Sequence, residues 1–268
     1  GHVKFLRNML AGVGGVSACV FVVAATEGWK PQSEEHLRIL ELLGISHGII
    51  ALTKVDLVDD EWLELAQMEV ADHVEGTFLE GAPMVSVSST SGTGLDAMRR
   101  ELDALNERST AAVDRKRPRL WLDRVFAAKG SGTVGTGTLV GGTLQNDQLV
   151  SIEPGGHSAR VRTIQTAGNT VEQIGAGNRV AVNLAGVDHT DVKRGDAVIE
   201  PGRWRLTERF DASLRVLDAL DHDVSRRGAY VAYIGAGEHA VKLRVLGVQE
   251  LGPGTTGAVR LFLPAALP

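Results

Sequence analysis

The order of apolar and polar positions changes character near residue 110. Before it, short apolar runs alternate with amphipathic stretches. Ala18–Ala25 and Met84–Val87 read as strands, and between them lies Gly48-Ile49-Ile50-Ala51-Leu52. A run without polar alternation predicts a strand buried on both faces, as in a parallel sheet. One helix is expected from Pro31, a favourable first-turn residue, through Leu37, Leu40 and Leu43 to Gly44. A second is expected after Asp59-Asp60, which can cap it, with Trp62, Leu65 and Ala66 on one face. A third covers Leu95–Leu105. Strand–helix alternation at this spacing implies right-handed crossovers, with ligands bound beyond the C-terminal ends of the strands. Thr53-Lys54-Val55-Asp56 lies at one such end and Ser88-Ser89-Thr90 at the next.

After residue 110 the helical period fades. Arg115-Lys116-Arg117-Pro118-Arg119 is basic and carries a proline, and two readings stand: a solvated connector or a strap that contacts phosphate. Beyond it come short β-branched segments at Leu120–Ala128, Thr133–Val140, Gln148–Ile152, Ala159–Ile164, Val180–Leu184 and Ala197–Ile199, separated by glycine turns. That spacing predicts an all-β barrel. A third β-rich stretch has strands expected near Phe210–Leu217, Tyr230–Ile234, His239–Leu246 and Gly257–Phe262. The expected architecture is multidomain, α/β followed by all-β: residues 1–112, a basic linker 113–119, a barrel 120–203 and a partial barrel 204–268.

Composition narrows the chemistry. Of 268 residues 43% are hydrophobic, enough for several cores, and no run reaches the length of about 18 apolar residues that a membrane-spanning helix needs. The opening residues lack the basic-then-apolar form of a secretory leader. The single cysteine, Cys19, lies inside an apolar run and is expected to be a core thiol; one cysteine excludes an intrachain disulfide and fits a reducing, cytoplasmic setting. With a net charge of −5, a nucleic-acid partner has to be met by a local basic patch. The eight histidines show no zinc spacing and no Ser-His-Asp order stands out, so metal and covalent catalysis have no support. Gly130-Ser131-Gly132-Thr133-Val134-Gly135 fits a dinucleotide-binding pattern, but that pattern needs a helix next, and Thr136-Gly137-Thr138-Leu139-Val140 reads as strand. Arg194-Gly195-Asp196 reads as a turn before Ala197-Val198-Ile199.

The carboxylate of Asp56 offers two acceptors side by side, which match the ring N–H and exocyclic amine of guanine; adenine presents no such pair. Lys54 can lay its methylene stem over a base.

Taken in order, these pieces resemble a translational GTPase. Gly1-His2 matches the end of that family's Asp-x-Pro-Gly-His element, and Gly28-Trp29-Lys30-Pro31-Gln32-Ser33-Glu34-Glu35-His36 the segment after its next strand. Thr53–Asp56 matches the Asn-Lys-x-Asp guanine motif, Ser88-Ser89-Thr90 the Ser-Ala-Lys loop, and Gly130–Gly142 the first hairpin of domain 2, the barrel that receives the aminoacyl end of tRNA. Within the superfamily the chain is most similar to the bacterial selenocysteine-specific elongation factors, through Thr53 in place of Asn, Leu42-Leu43-Gly44-Ile45, Ser131, and the Asp123-Arg124 pair in Leu120–Phe126.

The resemblance implies a partial P-loop GTPase domain followed by two elongation-factor-type β-barrels. It implies GTP/GDP binding, with guanine held by Thr53, Lys54, Asp56, Ser88, Ser89 and Thr90, and with Ser89 giving a backbone N–H. His2 would position the attacking water. Asp123, Arg124 and Arg179 would line a selenocysteinyl-tRNA pocket that selects a selenolate by charge. The partners implied are selenocysteinyl-tRNA, the ribosome and, through a C-terminal domain outside this chain, an mRNA hairpin. The Gly-x-x-x-x-Gly-Lys-[Ser/Thr] phosphate loop does not occur in the 268 residues, so a fragment is expected, with the Mg²⁺ ligands outside it and no GTP hydrolysis by the fragment alone. Three alternatives stand at this point: a general elongation factor Tu-like carrier, a metabolic GTPase such as the large subunit of sulfate adenylyltransferase, and a tRNA-binding initiation-factor subunit.

Overall fold

The structure is a computed structural model that describes residues 16–109, 112–128, 132–218 and 220–268. It divides into two compact units, Val16–Ala111 and Ala112–Pro268.

The first unit runs β1 (Ala18–Ala24), α1 (Pro31–Leu42), β2 (His47–Thr53), a 3-10 turn (Val55–Leu57), α2 (Asp60–Val74), β3 (Met84–Val87) and α3 (Leu95–Arg108). The strands form a parallel sheet in the order β1-β2-β3. The central strand explains the unbroken apolar run. Ile50 and Leu52 enter one core with Phe21, Val23, Leu37 and Val70, while Ile49 and Ala51 enter another with Val85, Val87 and Leu105 of α3. Each large side chain removed from water on this strand contributes about 1.5–3 kcal/mol.

Pro31 opens α1, and the Asp59 carboxylate caps α2 by accepting from Trp62 N at 2.8 Å. The buried stripe of α2 differs from the expected one. Ala66, Val70 and Val74, spaced four apart, face the core, whereas Trp62 and Leu65 are 53% and 55% exposed. Leu65 lies about 100° around the helix from Ala66, which turns it away from the sheet. Trp62 instead donates its Nε1–H to the Ala25 carbonyl at 2.9 Å. Cys19 is half-buried rather than fully so, and burial pushes its thiol up to about 11.

The second unit begins with β4 (Arg119–Ala128), β5 (Gly132–Val140), β6 (Leu144–Gln145), β7 (Leu149–Glu153), β8 (His157–Thr166), β9 (Asn169–Val171), β10 (Gln173–Ile174), β11 (Arg179–Ala185) and β12 (Ala197–Ile199). The order β11-β5-β4-β12-β7-β8, closed by β8 against β11, makes a six-stranded antiparallel barrel. Leu120, Leu122, Leu139, Ile152, Ile164 and Leu184 fill it. The segment after Gly132 is strand, as the rejection of the dinucleotide pattern requires. Glycine is needed at 137 for contact: a Cβ there would lie 2.0 Å from the Trp121 carbonyl oxygen on the neighbouring strand.

The remaining strands are β13 (Thr207–Arg215), β14 (Val224–Ser225), β15 (Tyr230–Ile234), β16 (Gly237–Val245), β17 (Glu250–Leu251) and β18 (Thr256–Leu267). They form a sheet ordered β13-β18-β16-β15 and a separate β14–β17 pair. Trp121, Ala197 and Ile199 of the barrel share a core with Ala236, Val241, Leu263 and Leu267 of this sheet. The basic stretch before β4 is exposed at Arg115, Lys116 and Arg117, and its backbone is fastened to the barrel. Arg115 and Arg117 donate their backbone N–H to the Gly141 carbonyl at 3.0 and 2.8 Å. The Arg119 guanidinium lies over the Trp121 and Trp204 rings at 5.0 and 4.3 Å and donates to the Pro268 carbonyl at 2.8 Å. Among the described residues no helix is long and apolar enough to cross a membrane.

Candidate functional site

Thr53 and Val87 are register partners on β2 and β3, so the loops that follow them leave the same end of the sheet. The first loop turns at once. Lys54 takes φ 60° and ψ 34°, a left-handed conformation that costs a residue with a β-carbon about 1–2 kcal/mol. The next residues then form the 3-10 turn that carries Asp56. Thr53 donates its hydroxyl to the Val23 carbonyl at 3.3 Å, so it ties the loop to β1. The Lys54 ammonium pairs with Glu27 at 3.0 Å, and that hydrogen bond holds the Glu27 carboxyl below its ordinary range. Asp56 is exposed and makes no hydrogen bond or ion pair among the described residues.

The second loop is organised by Ser88, 1% exposed, whose Oγ accepts from Thr90 N at 3.2 Å and Ser91 N at 3.1 Å. The Ser89 backbone N–H between them has no acceptor among the described residues. Gly94 lets the chain enter α3 directly beneath: its φ is +72°, and a Cβ would lie 1.9 Å from the Ser86 carbonyl oxygen. The sheet end therefore presents a free carboxylate, a free N–H and a lysine stem, the complement of a guanine edge. Glu27, which holds Lys54, was not singled out in the sequence; it lies 27 residues away and has no motif of its own.

In the barrel, a bulge between Leu122 and Arg124 breaks the β4 pairing and leaves Asp123 as its extra residue. Asp123 meets Arg179, the first residue of β11, through a two-point pair: Nη1 on Oδ2, and Nη2 on Oδ1 at 3.0 Å. Thr136 on the intervening strand β5 donates its hydroxyl to Oδ1 at 2.8 Å. Burial pushes the Asp123 carboxyl up, but the Arg179 and Thr136 hydrogen bonds and the charges of Arg179 and Arg124 outweigh it, so its pKa ends below the usual range. The hydrogen bond to Asp123 raises Arg179 in turn.

Arg179 also lines a cleft of about 420 Å³ with Thr136, Gln165, Thr166, Ala167 and Gly168. Ala167 and Gly168, at φ +47° and +81°, form the two-residue turn between β8 and β9. Arg124, exposed on β4, is outside that lining. Asp123 is thus Arg179's partner within the protein, and Thr136 is a third member that no sequence pattern marked. His2 lies outside the described residues.

Residues 1–113 match the family described as the elongation factor Tu GTP binding domain. The full chain is 39% identical over 270 residues to a selenocysteine-specific elongation factor of Desulfomicrobium baculatum. The chain belongs with the selenocysteine-specific elongation factors. The corresponding factor of Escherichia coli is 36% identical over 197 residues, 73% of this chain. A crystal structure of the bacterial factor EF-Sec superposes over the whole chain with a TM-score of 0.87 at 30% identity. Translation elongation factor SelB from Methanococcus maripaludis, solved with the GTP analogue GppNHp, shares the fold with a TM-score of 0.86 at 22% identity. The chain spans 42% and 32% of the two sequence relatives and 43% and 62% of the two solved chains. The match over residues 1–113 is to a family described as GTP binding, and Asp56 and Ser89 both lie within it.

Proposed function

We propose that this chain carries the guanine-reading loops and the aminoacyl-end pocket of a factor that, with GTP bound, delivers selenocysteinyl-tRNA to the ribosome at recoded UGA codons. GTP hydrolysis then releases the tRNA. The observation that carries the reading is the Asp123–Arg179–Thr136 arrangement beside a cleft in the barrel. Arg179 and Asp123 balance each other, and Arg124, outside the cleft lining but near enough to act on Asp123 by charge, leaves one net positive charge beside the cleft. At neutral pH a selenol is largely ionised, a thiol mostly protonated and a hydroxyl neutral. A selenolate meets the surplus charge, whereas serine leaves it uncompensated. The Asp123 bond holds the Arg179 fork in one geometry, so little of its freedom is left to lose on binding.

On the nucleotide side, Asp56 takes the guanine ring N–H and amine, Ser89 N–H donates to its carbonyl, and Lys54 covers the base. His2 orients the water that attacks the γ-phosphorus, and the bond to the β-phosphate oxygen breaks to give GDP and inorganic phosphate. That catalysis is positional and electrostatic. The phosphates and Mg²⁺ need ligands other than these, because the phosphate-loop motif does not occur in the 268 residues. The 268-residue chain by itself is therefore assigned base recognition without hydrolysis. An mRNA hairpin is assigned to a further C-terminal domain, and the setting is cytoplasmic.

The test uses the full-length parent with GTP and one tRNA charged in turn with selenocysteine, cysteine or serine, reading protection of the ester bond against hydrolysis. Protection of the selenocysteinyl form alone, lost in Arg179→Ala, is expected. Equal protection of all three would overturn the charge-selection reading in favour of a general aminoacyl-tRNA carrier, and protection of none would favour a metabolic GTPase.

A further inference from the structure

Where the barrel meets the last sheet, two glycines of one hairpin press on the strand that carries Asp123. β15 and β16 are joined through Gly235 and Ala236, with Ile234 opposite Gly237. Gly235 has a φ of +58°, and a Cβ there would overlap the Trp121 indole of β4. Ala236, 4% exposed, lies in the same core as Trp121. Gly237 meets Gly195, in the turn before β12, backbone to backbone: a Cβ on Gly195 would lie 2.8 Å from the Gly237 Cα. Approach that close is open only to residues without a β-carbon.

Both contacts bear on Leu122, the residue before Asp123. The ladder between β12 and β4 ends at the pair Ala197 and Trp121. The turn before β12 then extends it by one residue: Gly195 donates its N–H to the Leu122 carbonyl, and Leu122 donates its own to the Asp196 carbonyl, both at 2.8 Å. The buried Asp196 carboxylate closes that turn by accepting from Lys193 N at 2.9 Å. Immediately after Leu122 the register with β5 breaks and Asp123 is left as the extra residue. A bulge aims its side chain by where it begins, and here the hairpin tip sits on the two residues, Trp121 and Gly195, that hold the starting point.

We propose that the β15–β16 hairpin tip is a positioning element for Asp123: Gly235 and Gly237 seat Trp121 and Gly195, fix the start of the bulge and so aim the carboxylate at Arg179. A two-point pair between a guanidinium and a carboxylate demands a nearly coplanar fork, and Thr136 uses one of the same two oxygens. A small shift of the bulge therefore costs hydrogen bonds in the pair. None of the tip residues lines the cleft, so they act only through Asp123. The positioning role stands on the contacts between the barrel and the last sheet. Its consequence for the choice of amino acid rests on the reading under Proposed function.

The experiment follows the Asp123 carboxyl against pH by carbon-13 NMR in the 268-residue chain, its signal assigned by loss in Asp123→Asn. Gly235→Ala and Gly237→Ala are each expected to move the titration upward, toward the ordinary 3.8, because a displaced bulge weakens the hydrogen bonds that hold it down. Gly237 lies in a strand without a positive φ, so Gly237→Ala adds contact without backbone strain and serves if Gly235→Ala does not fold. Gly247→Ala is the control: at φ +82°, with nothing within 4 Å of its added Cβ, it carries strain without contact and leaves the titration in place. An unmoved Asp123 in folded Gly237→Ala, or an equal shift in Gly247→Ala, would overturn the proposal. In the full-length parent, Gly237→Ala is expected to lower the preference for selenocysteinyl- over cysteinyl-tRNA about tenfold, the scale of one hydrogen bond to a charged group. A moved titration with that preference intact would leave the positioning role standing and count against the amino-acid pocket, so the two readings fail separately.

Discussion

Asp56 and Asp123 both stand where a strand ends or loses its register, and the structure treats them in opposite ways. Asp56 follows β2 on a 3-10 turn, exposed and without a partner among the described residues. Asp123 sits on a bulge with its side chain only 16% exposed, held by Arg179 and Thr136. A carboxylate that reads a ligand has to keep its acceptors open, because an internal hydrogen bond must be broken before a ligand can use them. A carboxylate that frames a ligand's binding group does the reverse and fixes a neighbouring guanidinium in place. In the proposed function the same side chain thus serves as reader in one unit and as frame in the other.

The sharpest way to break this comparison is Asp56→Asn in the full-length parent. An amide offers one donor and one acceptor where guanine needs two acceptors; xanthine, with a carbonyl at the amine position, matches the amide instead. GDP affinity should fall by about a hundredfold, the scale of losing two hydrogen bonds to a charged group at about 1.5 kcal/mol each, and xanthosine diphosphate should bind better than GDP in competition assays. Unchanged GDP affinity would remove Asp56 from the reading role.

A smaller effect is expected from Asp123→Asn, read as stability against pH by denaturant titration. The folded pKa of Asp123 lies below its ordinary value of 3.8. Its contribution is therefore complete above the unfolded pKa and is lost as pH falls through the folded one. The variant should be less stable than the parent by about 1–2 kcal/mol at pH 7, and the two curves should converge below about pH 4. Parallel curves would mean that the pair with Arg179 adds nothing to the folded state.

The smallest effect concerns Glu27→Gln. Both members of the Lys54–Glu27 pair are about half exposed, at 50% and 53%, and solvent screens such pairs. The thermal midpoint should stay where it is, and GDP affinity of the parent should change by less than about threefold. A larger loss would show that Glu27 positions Lys54 for the base and that the reading side also has a frame.

The strand at Gly48–Leu52, the start of the first helix at Pro31 and the main barrel strands were legible because local signals carry them: an unbroken apolar run, a first-turn proline, and short β-branched segments between glycine turns. The strands β6, β9, β10, β14 and β17, of two or three residues each, are too short to carry a period. Trp62 and Leu65 looked like core on hydrophobicity alone, and the sheet instead took the stripe of Ala66, Val70 and Val74.

The loop proposed to read guanine was visible from residue types within one short stretch, because strand, turn and carboxylate are neighbours along the chain. The sequence by itself thus determined the alternation of elements, the change to β structure near residue 110 and the positions of Asp56 and Ser89 at strand ends. Only the tertiary structure decided what the charges do. Arg179 reaches Asp123 across 56 residues because β5 pairs with both β4 and β11. Local structure follows from side-chain pattern and backbone preference over a few residues, whereas the partner of a charge is set by which distant strands close against each other.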